Sequence, residues 1–285
     1  MMKFQADLFE AIRTRRTTNG AFKPDAIDPE HLKTILEMAS HAPSHFNSQP
    51  WRFIVVQDAS CRAAIADIAG DSMRMLIEEG TFWQRYSKYF RFSKEEVDRT
   101  SDGIHFDNMP SVLKPFARYV LSPKGSAVIN KFQVPRVLGH DAHKLVASSP
   151  LLLGITLTRA EYQPDQLSGL YSVISLGAVI QTIWVTANAL GIGMQFVSTP
   201  MEVEGQWEKI VELLEVPDDQ ALLVLFRLGY VDPAVKRPTI DWSSPQRKGI
   251  AELAFNERWG VSIAEALGAA VSPGGGADDP AHRAV

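Results

Sequence analysis

The chain has 285 residues, enough to bury a substantial core as one large domain or two small ones. Its net charge of -4 argues against a general affinity for nucleic acid or acidic membranes, and its single cysteine, Cys61, excludes a disulfide framework or a cysteine-based zinc site. The opening residues MMKFQADLFEAIRTRR lack the apolar stretch of a secretory signal, so we expect a cytoplasmic protein.

Apolar spacing and turn residues predict helices that alternate with a few strands. The clearest helix start is IDPEHLKTILEMASHA, where Asp28 can cap and Pro29 suits the first turn. The predicted elements in order are a helix over Phe4–Arg15, the helix from Asp28, the strand RFIVVQ, a helix over Ala59–Ala69, a strand over Pro150–Thr158, a long charge-free helix, a short extended GIGMQFVST segment, a helix over Glu204–Leu214 and a strand over Ala221–Tyr230. This order predicts an α+β or α/β sandwich around one central sheet.

The middle third, Asp71–Ser149, is the least regular part of the sequence. Glycine and proline separate its predicted helical pieces, which lie near Met73–Tyr89, Lys94–Arg99, Val112–Val120 and His140–Val146. The final PGGGADDPAHRAV has the composition of a disordered tail. We therefore expect one domain over residues 1–270, a helical insertion around 71–149, and a disordered tail over 271–285.

The segment Gly169–Met201 contains no charged residue and is long enough to span a bilayer. Polar side chains are nevertheless spread around the predicted helix, and no basic cluster flanks either end. A helix that is apolar all round can also be the central helix of a soluble core or a dimer interface. We favour the buried helix and expect no membrane span; a membrane-associated protein is the alternative.

Two basic clusters, far apart in sequence, could converge on an anion. RTRRTTN places Arg15 and Arg16 at the end of the first helix, and VKRP supplies Lys236 and Arg237 after the last strand. Guanidinium groups bind phosphate bidentately. Neither a Gly-rich dinucleotide loop nor a P-loop occurs, so side chains would have to hold a nucleotide's phosphate. Alternatively, these arginines only complement the negative end of a helix.

The loop in APSHFNSQPWRFIVVQ contains two prolines and four hydrogen-bonding side chains directly before a strand. They are Pro43, Ser44, His45, Asn47, Gln49 and Pro50. Prolines reduce the entropy that the loop loses on ordering, and neutral donors and acceptors suit an amide-rich heterocycle with a polyol. Alternatively, Asn47 and Gln49 satisfy only backbone groups of the loop.

Together with NALGIG and LGYVDPAVKRP in the same order, these segments resemble the nitroreductase family of flavoproteins. The loop is the most specific match, close to the family pattern A-P-S-x-x-N-x-Q-P-W, and the matching pieces run from about Phe4 to Pro238. The resemblance implies a three-layer sandwich with a central, mostly antiparallel sheet flanked by helices, in an intertwined homodimer with FMN at its interface. It also implies that NAD(P)H reduces the flavin, which then reduces a nitroaromatic, quinone or related aromatic electrophile by ping-pong turnover.

The motif match also implies residues that bind the phosphate and ribityl chain. Arg15, Arg16 and Thr17 would hold them, and Lys236 and Arg237 would close on the phosphate. The flavin performs the chemistry, so no catalytic acid, base or nucleophile is expected. No metal is expected either, although GHDAH contains two histidines.

Further positions would surround the ring. Those lining it by motif match are Pro43, Ser44, His45 and Asn47. Val197 and Ser198 would present backbone N–H groups to the flavin edge that accepts hydride, and Ser175 matches a polar position of the long helix. Asn19 stands where relatives usually carry lysine or arginine near the flavin N1–O2 edge, so reduced flavin should be less stabilised.

The segment TFWQRYSKYFRF leaves a substrate site open. Phe82, Trp83 and Tyr86 can share one helical face, either as part of a lid over an aromatic substrate or in ordinary core packing. Three different functions are also compatible with the sequence. They are a flavin-consuming 5,6-dimethylbenzimidazole synthase, disfavoured because its subgroup carries an acidic residue where this chain has Thr17; a reductive dehalogenase with a helical lid; and a non-catalytic flavin-binding protein.

Overall fold

The computed structural model describes residues 7–105, 116–120, 122–232, 234, 244–263 and 267. Within these residues the helices are α1 (Leu8–Thr14), α2 (Pro29–Ser40), α3 (Ala59–Glu78), α4 (Thr81–Tyr86), α5 (Lys94–Thr100), α6 (Ala117–Val120), α7 (Ser126–Lys131), α8 (Val134–Ala147), α9 (Leu167–Ala189), α10 (Gln206–Leu213) and α11 (Ile250–Leu253). The strands are β1 (Trp51–Val56), β2 (Phe90–Arg91), β3 (Ile104–His105), β4 (Leu151–Thr158), β5 (Ile192–Phe196) and β6 (Gln220–Tyr230).

The central sheet has four strands in the order β1-β4-β6-β5, and every neighbouring pair is antiparallel. Trp51 lies opposite Leu157, and a register shift between Ile155 and Thr156 interrupts the pairing of β4 with β6. The short strands β2 and β3 form a separate parallel pair. The predicted central antiparallel sheet is therefore confirmed.

Alternating side chains of β4 fill two cores on opposite faces of the sheet. Leu151 and Leu153 belong to the core that α2 and α9 cover, whereas Leu152 belongs to the core under α3, α8 and α10. This is the period of two expected for a strand that is buried on both faces. The sheet is thus the middle layer of three, as the predicted fold class requires.

Helix α2 begins as its sequence predicts, because the Asp28 carboxylate accepts a hydrogen bond from the Glu30 amide at 2.8 Å. Helix α3 continues to Glu78 and corrects the predicted end at Ala69. Gly70 lets α3 pack closely on α8, since a Cβ added there would lie 2.9 Å from the carbonyl oxygen of Gly139. The close packing of α3 on α8 therefore keeps the helix continuous through Gly70, where glycine alone predicts a helix end.

The insertion differs from its predicted pieces. The piece near Met73–Tyr89 is divided at Gly80, whose φ of 75° ends α3 and precedes α4. The piece near His140–Val146 is the end of the longer α8. Of the piece near Val112–Val120, residues 112–115 lie outside the described residues, and α6 forms its end. The insertion has a small core of its own, formed by Leu76, Ile77, Phe82, Trp83, Phe90 and Ile129. The predicted tail over 271–285 also lies outside the described residues.

Within the described residues, α9 is long and apolar enough to cross a membrane by length and composition alone. Its inner face carries Val179 and Ile183, which are fully buried against the sheet and α2. Leu170 and Ile174 are exposed on the opposite side of its first half. α9 is therefore a core helix on one face only, with an uncovered apolar face on the other.

Candidate functional site

The end of α1 and the second half of α9 form a basic corner. The Arg15 guanidinium lies over the Trp184 ring, 4.6 Å from its centroid. Burial lowers the pKa of Arg15, and repulsion first from Arg247 and then from Arg16 lowers it further. Asn188 of α9 fixes the helix end by donating to the Ala11 carbonyl at 3.0 Å. The corner thus concentrates positive charge at a fixed position.

Residues after Arg16 run beside β5, close to the edge of the sheet. Thr17 forms a parallel bridge with Met194, and the Thr18 amide donates to the Met194 carbonyl at 3.2 Å. Asn19 is only 7% exposed, and its Oδ1 accepts a hydrogen bond from Gln195 Nε2 at 2.9 Å. The sheet therefore positions three of the predicted residues, namely Arg16, Thr17 and Asn19, on one continuous strip.

The loop between α2 and β1 is held by its own hydrogen bonds. Ser44 Oγ accepts from the Gln49 amide at 3.0 Å, and Gln49 Nε2 donates to Asn47 Oδ1 at 3.1 Å. Phe46, Asn47 and Gln49 all have positive φ, between 45° and 56°, a backbone conformation that is energetically unfavourable for residues other than glycine. The polar side chains thus form hydrogen bonds within the loop, and the loop conformation is fixed without a ligand.

His45 docks this loop on the first half of α9. Its Nε2 lies 3.0 Å from Glu161 Oε2, and its ring centroid lies 5.8 Å from that of Tyr171. Pro43 opens the loop, shortly after α2 ends at Ser40. Phe46 is fully exposed at the tip. The loop therefore presents a bare aromatic ring beside the uncovered face of α9.

The two parts of the candidate site lie toward opposite ends of α9. The His45 loop contacts Tyr171, whereas Arg15 contacts Trp184. At 1.5 Å per helical residue these two positions are about 20 Å apart along the axis. One chain alone therefore does not bring its loop and its basic corner together around the same small group.

Two predicted contacts need correction. The Val197 amide cannot serve the flavin edge as predicted, because it donates to the Leu225 carbonyl at 2.8 Å. Ser198 follows it at the start of a short 3-10 helix, Thr199–Glu202, and is half-buried. Ser175 is 2% exposed, and its hydroxyl donates to the Tyr171 carbonyl at 2.8 Å, so it is an interior residue of α9. Lys236 and Arg237 lie outside the described residues.

The predicted substrate aromatics lie in the core of the insertion. Trp83 is 2% exposed and Phe82 is also buried, and their rings meet edge to face with centroids 5.0 Å apart. This placement is ordinary core packing, because neither ring offers a face to a substrate. Tyr86 is half-buried, and burial together with a hydrogen bond to Glu202 raises its pKa to about 12.

Sequence reasoning missed several residues of the site. Arg247 approaches Arg15 from the C-terminal segment, which Gln246 anchors by donating to the Gly103 carbonyl at 2.6 Å. No motif marks Arg247. Arg227 and its partner Gln195 were also missed, although a lone arginine within the apolar strand ALLVLFRLGY is a visible signal.

Comparisons with known proteins agree with this geometry. The model of the nitroreductase family matches residues 12–230. The chain is 36% identical to protein DrgA of Synechocystis sp. over 153 residues, 49% of this chain and 71% of DrgA. It is 43% identical over 49 residues to nitroreductase NfnB of Mycolicibacterium smegmatis, 17% of this chain and only 20% of that relative.

A solved structure shares the fold. It is the FMN and NADPH-dependent nitroreductase NfnB from Sphigopyxis sp. strain HMH, with a TM-score of 0.53 and 19% identity over 89% of this chain and all of the other. At that identity the likeness establishes the fold alone. The family match covers most of the chain, and the sheet and loop follow the pattern expected from its motifs. The chain therefore belongs to the nitroreductase family.

Proposed function

We propose that this chain is an FMN-dependent oxidoreductase that takes hydride from NAD(P)H and reduces a nitroaromatic, quinone or related aromatic electrophile. It acts as a homodimer with FMN at the interface. The observation that carries the proposal is the separation of a basic corner from a preformed polar loop along α9 in a chain of this family. A second copy supplies whichever half a single chain lacks.

The basic corner suits a phosphate. Within the described residues Arg15 makes no ion pair with a carboxylate, so its charge has no protein counterion there. Trp184 Nε1 is a buried donor without an acceptor among the same residues. A phosphate group is a strong acceptor that arginine binds with directional hydrogen bonds. Arg15, Arg16 and Thr17 would hold it, and Lys236 and Arg237 are proposed to close on it.

The loop suits the ring. Ser44, His45 and Asn47 are fixed by internal hydrogen bonds and by the contact of His45 with Glu161, so the wall exists before a ligand arrives. A preformed site loses less entropy on binding. Together with Pro43 and the Ser198 amide, this loop would orient the flavin and limit access of water. When bound, the flavin itself carries out hydride transfer.

Exposed apolar side chains lie on both helices of the candidate site. They include Phe9 and Ile12 of α1 with Leu170 and Ile174 of α9. Large exposed apolar patches mark interaction sites. If two α9 helices pair antiparallel about a twofold axis, the loop of one chain lies near Arg15 of the partner subunit. This pairing would create two equivalent sites per dimer.

An anaerobic titration tests the proposal. We expect purified protein to bind FMN with a visible flavin spectrum, NADH or NADPH to bleach it, and a nitroaromatic or quinone to restore it. Bound flavin that neither nicotinamide bleaches would instead indicate a non-catalytic flavin-binding protein. Protein that stays colourless after incubation with FMN would refute the proposal altogether.

The same titration distinguishes two further reaction types on this scaffold. Irreversible loss of the flavin during turnover would indicate the 5,6-dimethylbenzimidazole synthase type. Reduction of a halogenated phenol with release of halide would indicate the dehalogenase type. The dehalogenase alternative is expected to use a helical lid, and Phe82 and Trp83 offer no aromatic face for one because both are buried in the core of the insertion.

A further inference from the structure

Strand β6 contains a buried cation. Arg227 lies between Phe226 and Leu228 of the sheet core and is 1% exposed. Its guanidinium stands over the Phe22 ring at 4.6 Å from the centroid. Burial lowers the pKa of Arg227 to about 9, which leaves the group charged at neutral pH. A buried charge is costly unless it is paired, so this position calls for a physical explanation.

Arg227 is hydrogen-bonded only to neutral oxygens among the described residues. One terminal nitrogen donates to the Thr18 carbonyl at 2.7 Å and the Gly20 carbonyl at 3.0 Å, and the other donates to the Leu145 carbonyl at 3.2 Å. Its Nε donates to Gln195 Oε1 at 2.5 Å. The donors are therefore satisfied while the positive charge remains without a described carboxylate beside it.

The hydrogen bonds fix the direction of a chain of amides that starts at Arg227. An arginine can only donate, so Gln195 must turn its oxygen to Arg227 and its nitrogen to Asn19. Gln195 Nε2 accordingly donates to Asn19 Oδ1 at 2.9 Å. The nitrogen of the Asn19 amide then lies on the side of the group away from Gln195. Arg227 also holds the backbone on both sides of Asn19, through Thr18 and Gly20.

We propose that Arg227 is a positioning residue that acts through Gln195 and Asn19 to favour the negatively charged, reduced form of the bound flavin. This inference rests on the proposed function. The family resemblance implies that position 19 lies near the flavin N1–O2 edge and usually carries a cation; here the nearest described cation on this chain of hydrogen bonds is Arg227, separated from that position by the Gln195 amide. Unit charges about 10 Å apart at an effective dielectric constant of about 20 change an equilibrium by roughly tenfold.

The test measures the affinities of the protein for reduced and for oxidised FMN. The ratio of the reduced-FMN affinity to the oxidised-FMN affinity sets the midpoint potential of the bound flavin. We expect Arg227→Met to lower that ratio about tenfold, which is about 30 mV for a two-electron couple. Arg227→Lys keeps the charge but not the fork of hydrogen bonds, and we expect it to restore most of the ratio. A merely structural arginine would leave the ratio unchanged in both variants, and that result would overturn the inference.

A second variant guards against misfolding of the Arg227 variants. Gln195→Met breaks the chain of amides and keeps the buried charge, although it removes the acceptor of Arg227 Nε, and it should also lower the ratio while FMN remains bound. Gln220→Met, at the other end of β6 where Gln220 accepts from Thr156 at 2.9 Å, is the matched control and should leave the ratio unchanged. Equal ratios in these two variants would overturn the inference and leave FMN binding intact. Failure of the unaltered protein to bind FMN would instead overturn the proposed function.

Discussion

Replacing Arg15 by glutamine tests the phosphate corner most sharply, because the structure predicts a large loss of ligand affinity and little change in stability. Arg15 has no described carboxylate partner, and Arg247 and Arg16 repel it. Its removal therefore leaves no orphaned acid and relieves repulsion. The loss of its contact with the Trp184 ring costs about 0.5–1 kcal/mol at a partly exposed site. We expect the free energy of unfolding of the FMN-free protein to change by less than about 1 kcal/mol.

FMN affinity should change far more. A hydrogen bond to a charged group contributes about 1.5–3 kcal/mol, so Arg15→Gln should weaken FMN binding by about 10- to 150-fold. Riboflavin lacks the phosphate, and its affinity should stay within about twofold of the unaltered protein. Flavin fluorescence titrations with both ligands measure these constants. The comparison separates phosphate recognition from recognition of the ring.

The matched control is Arg13→Gln, which removes the same charge from the last turn of the same helix. It should leave the FMN affinity within about twofold, since Arg13 is exposed and its charge acts mainly through screened solvent. Equal losses in Arg13→Gln and Arg15→Gln would mean that general charge, not a phosphate contact, governs binding. Equal losses for FMN and riboflavin would refute the assignment of Arg15 to the phosphate.

Three further predictions follow from packing and charge. Ile174 of α9 is 60% exposed, so its burial in a twofold interface contributes about 2–4 kcal/mol per dimer. Ile174→Asp should therefore raise the dimer Kd by about 30-fold or more in sedimentation equilibrium, whereas Val137→Asp, at an exposed position of α8, should not. Gly70→Ala should lower the free energy of unfolding by about 1–2 kcal/mol in denaturant titrations, because the new methyl group lies 2.9 Å from the Gly139 carbonyl oxygen. An unchanged midpoint would show that α3 and α8 can move apart without cost. Arg91 holds the pKa of Asp102 below its ordinary 3.8, so the stability gained from this contact is present above about pH 4 and lost as the pH falls through the lowered pKa. The difference in free energy of unfolding between the unaltered protein and Asp102→Asn should therefore shrink in acid. A difference that stays constant with pH would contradict the assignment.

The regular elements were predictable because local physics decides them. Asp28 caps α2 as expected, and the apolar runs of β4 and β6 lie in the sheet centre. The end of α3 was not predictable, since Gly70 reads as a helix breaker until α8 is known to lie against it. Long-range packing, which no short window of sequence contains, decides such positions.

The site divides in the same way. The loop around Asn47 and the strip from Arg16 to Asn19 carry motifs, and the structure holds them in well-defined positions. The Val197 amide was misassigned because a strand's hydrogen-bond partners depend on the register, which only the fold reveals. The role proposed for Arg227 likewise depends on its hydrogen-bonded neighbours Gln195 and Asn19, which precede it by many residues along the chain.

A heterodimer made from two defective chains tests the central claim most directly. One chain carries Arg15→Gln, which damages the basic corner, and the other carries His45→Glu, which sets a carboxylate against Glu161 and should displace the loop. If each site combines the corner of one chain with the loop of the other, one of the two sites receives both defects and the other receives none. Co-expressed chains with different tags should therefore bind one FMN tightly per heterodimer, whereas each homodimer binds weakly. A heterodimer with no tight site would contradict the account, because it would place both halves of the site within one chain.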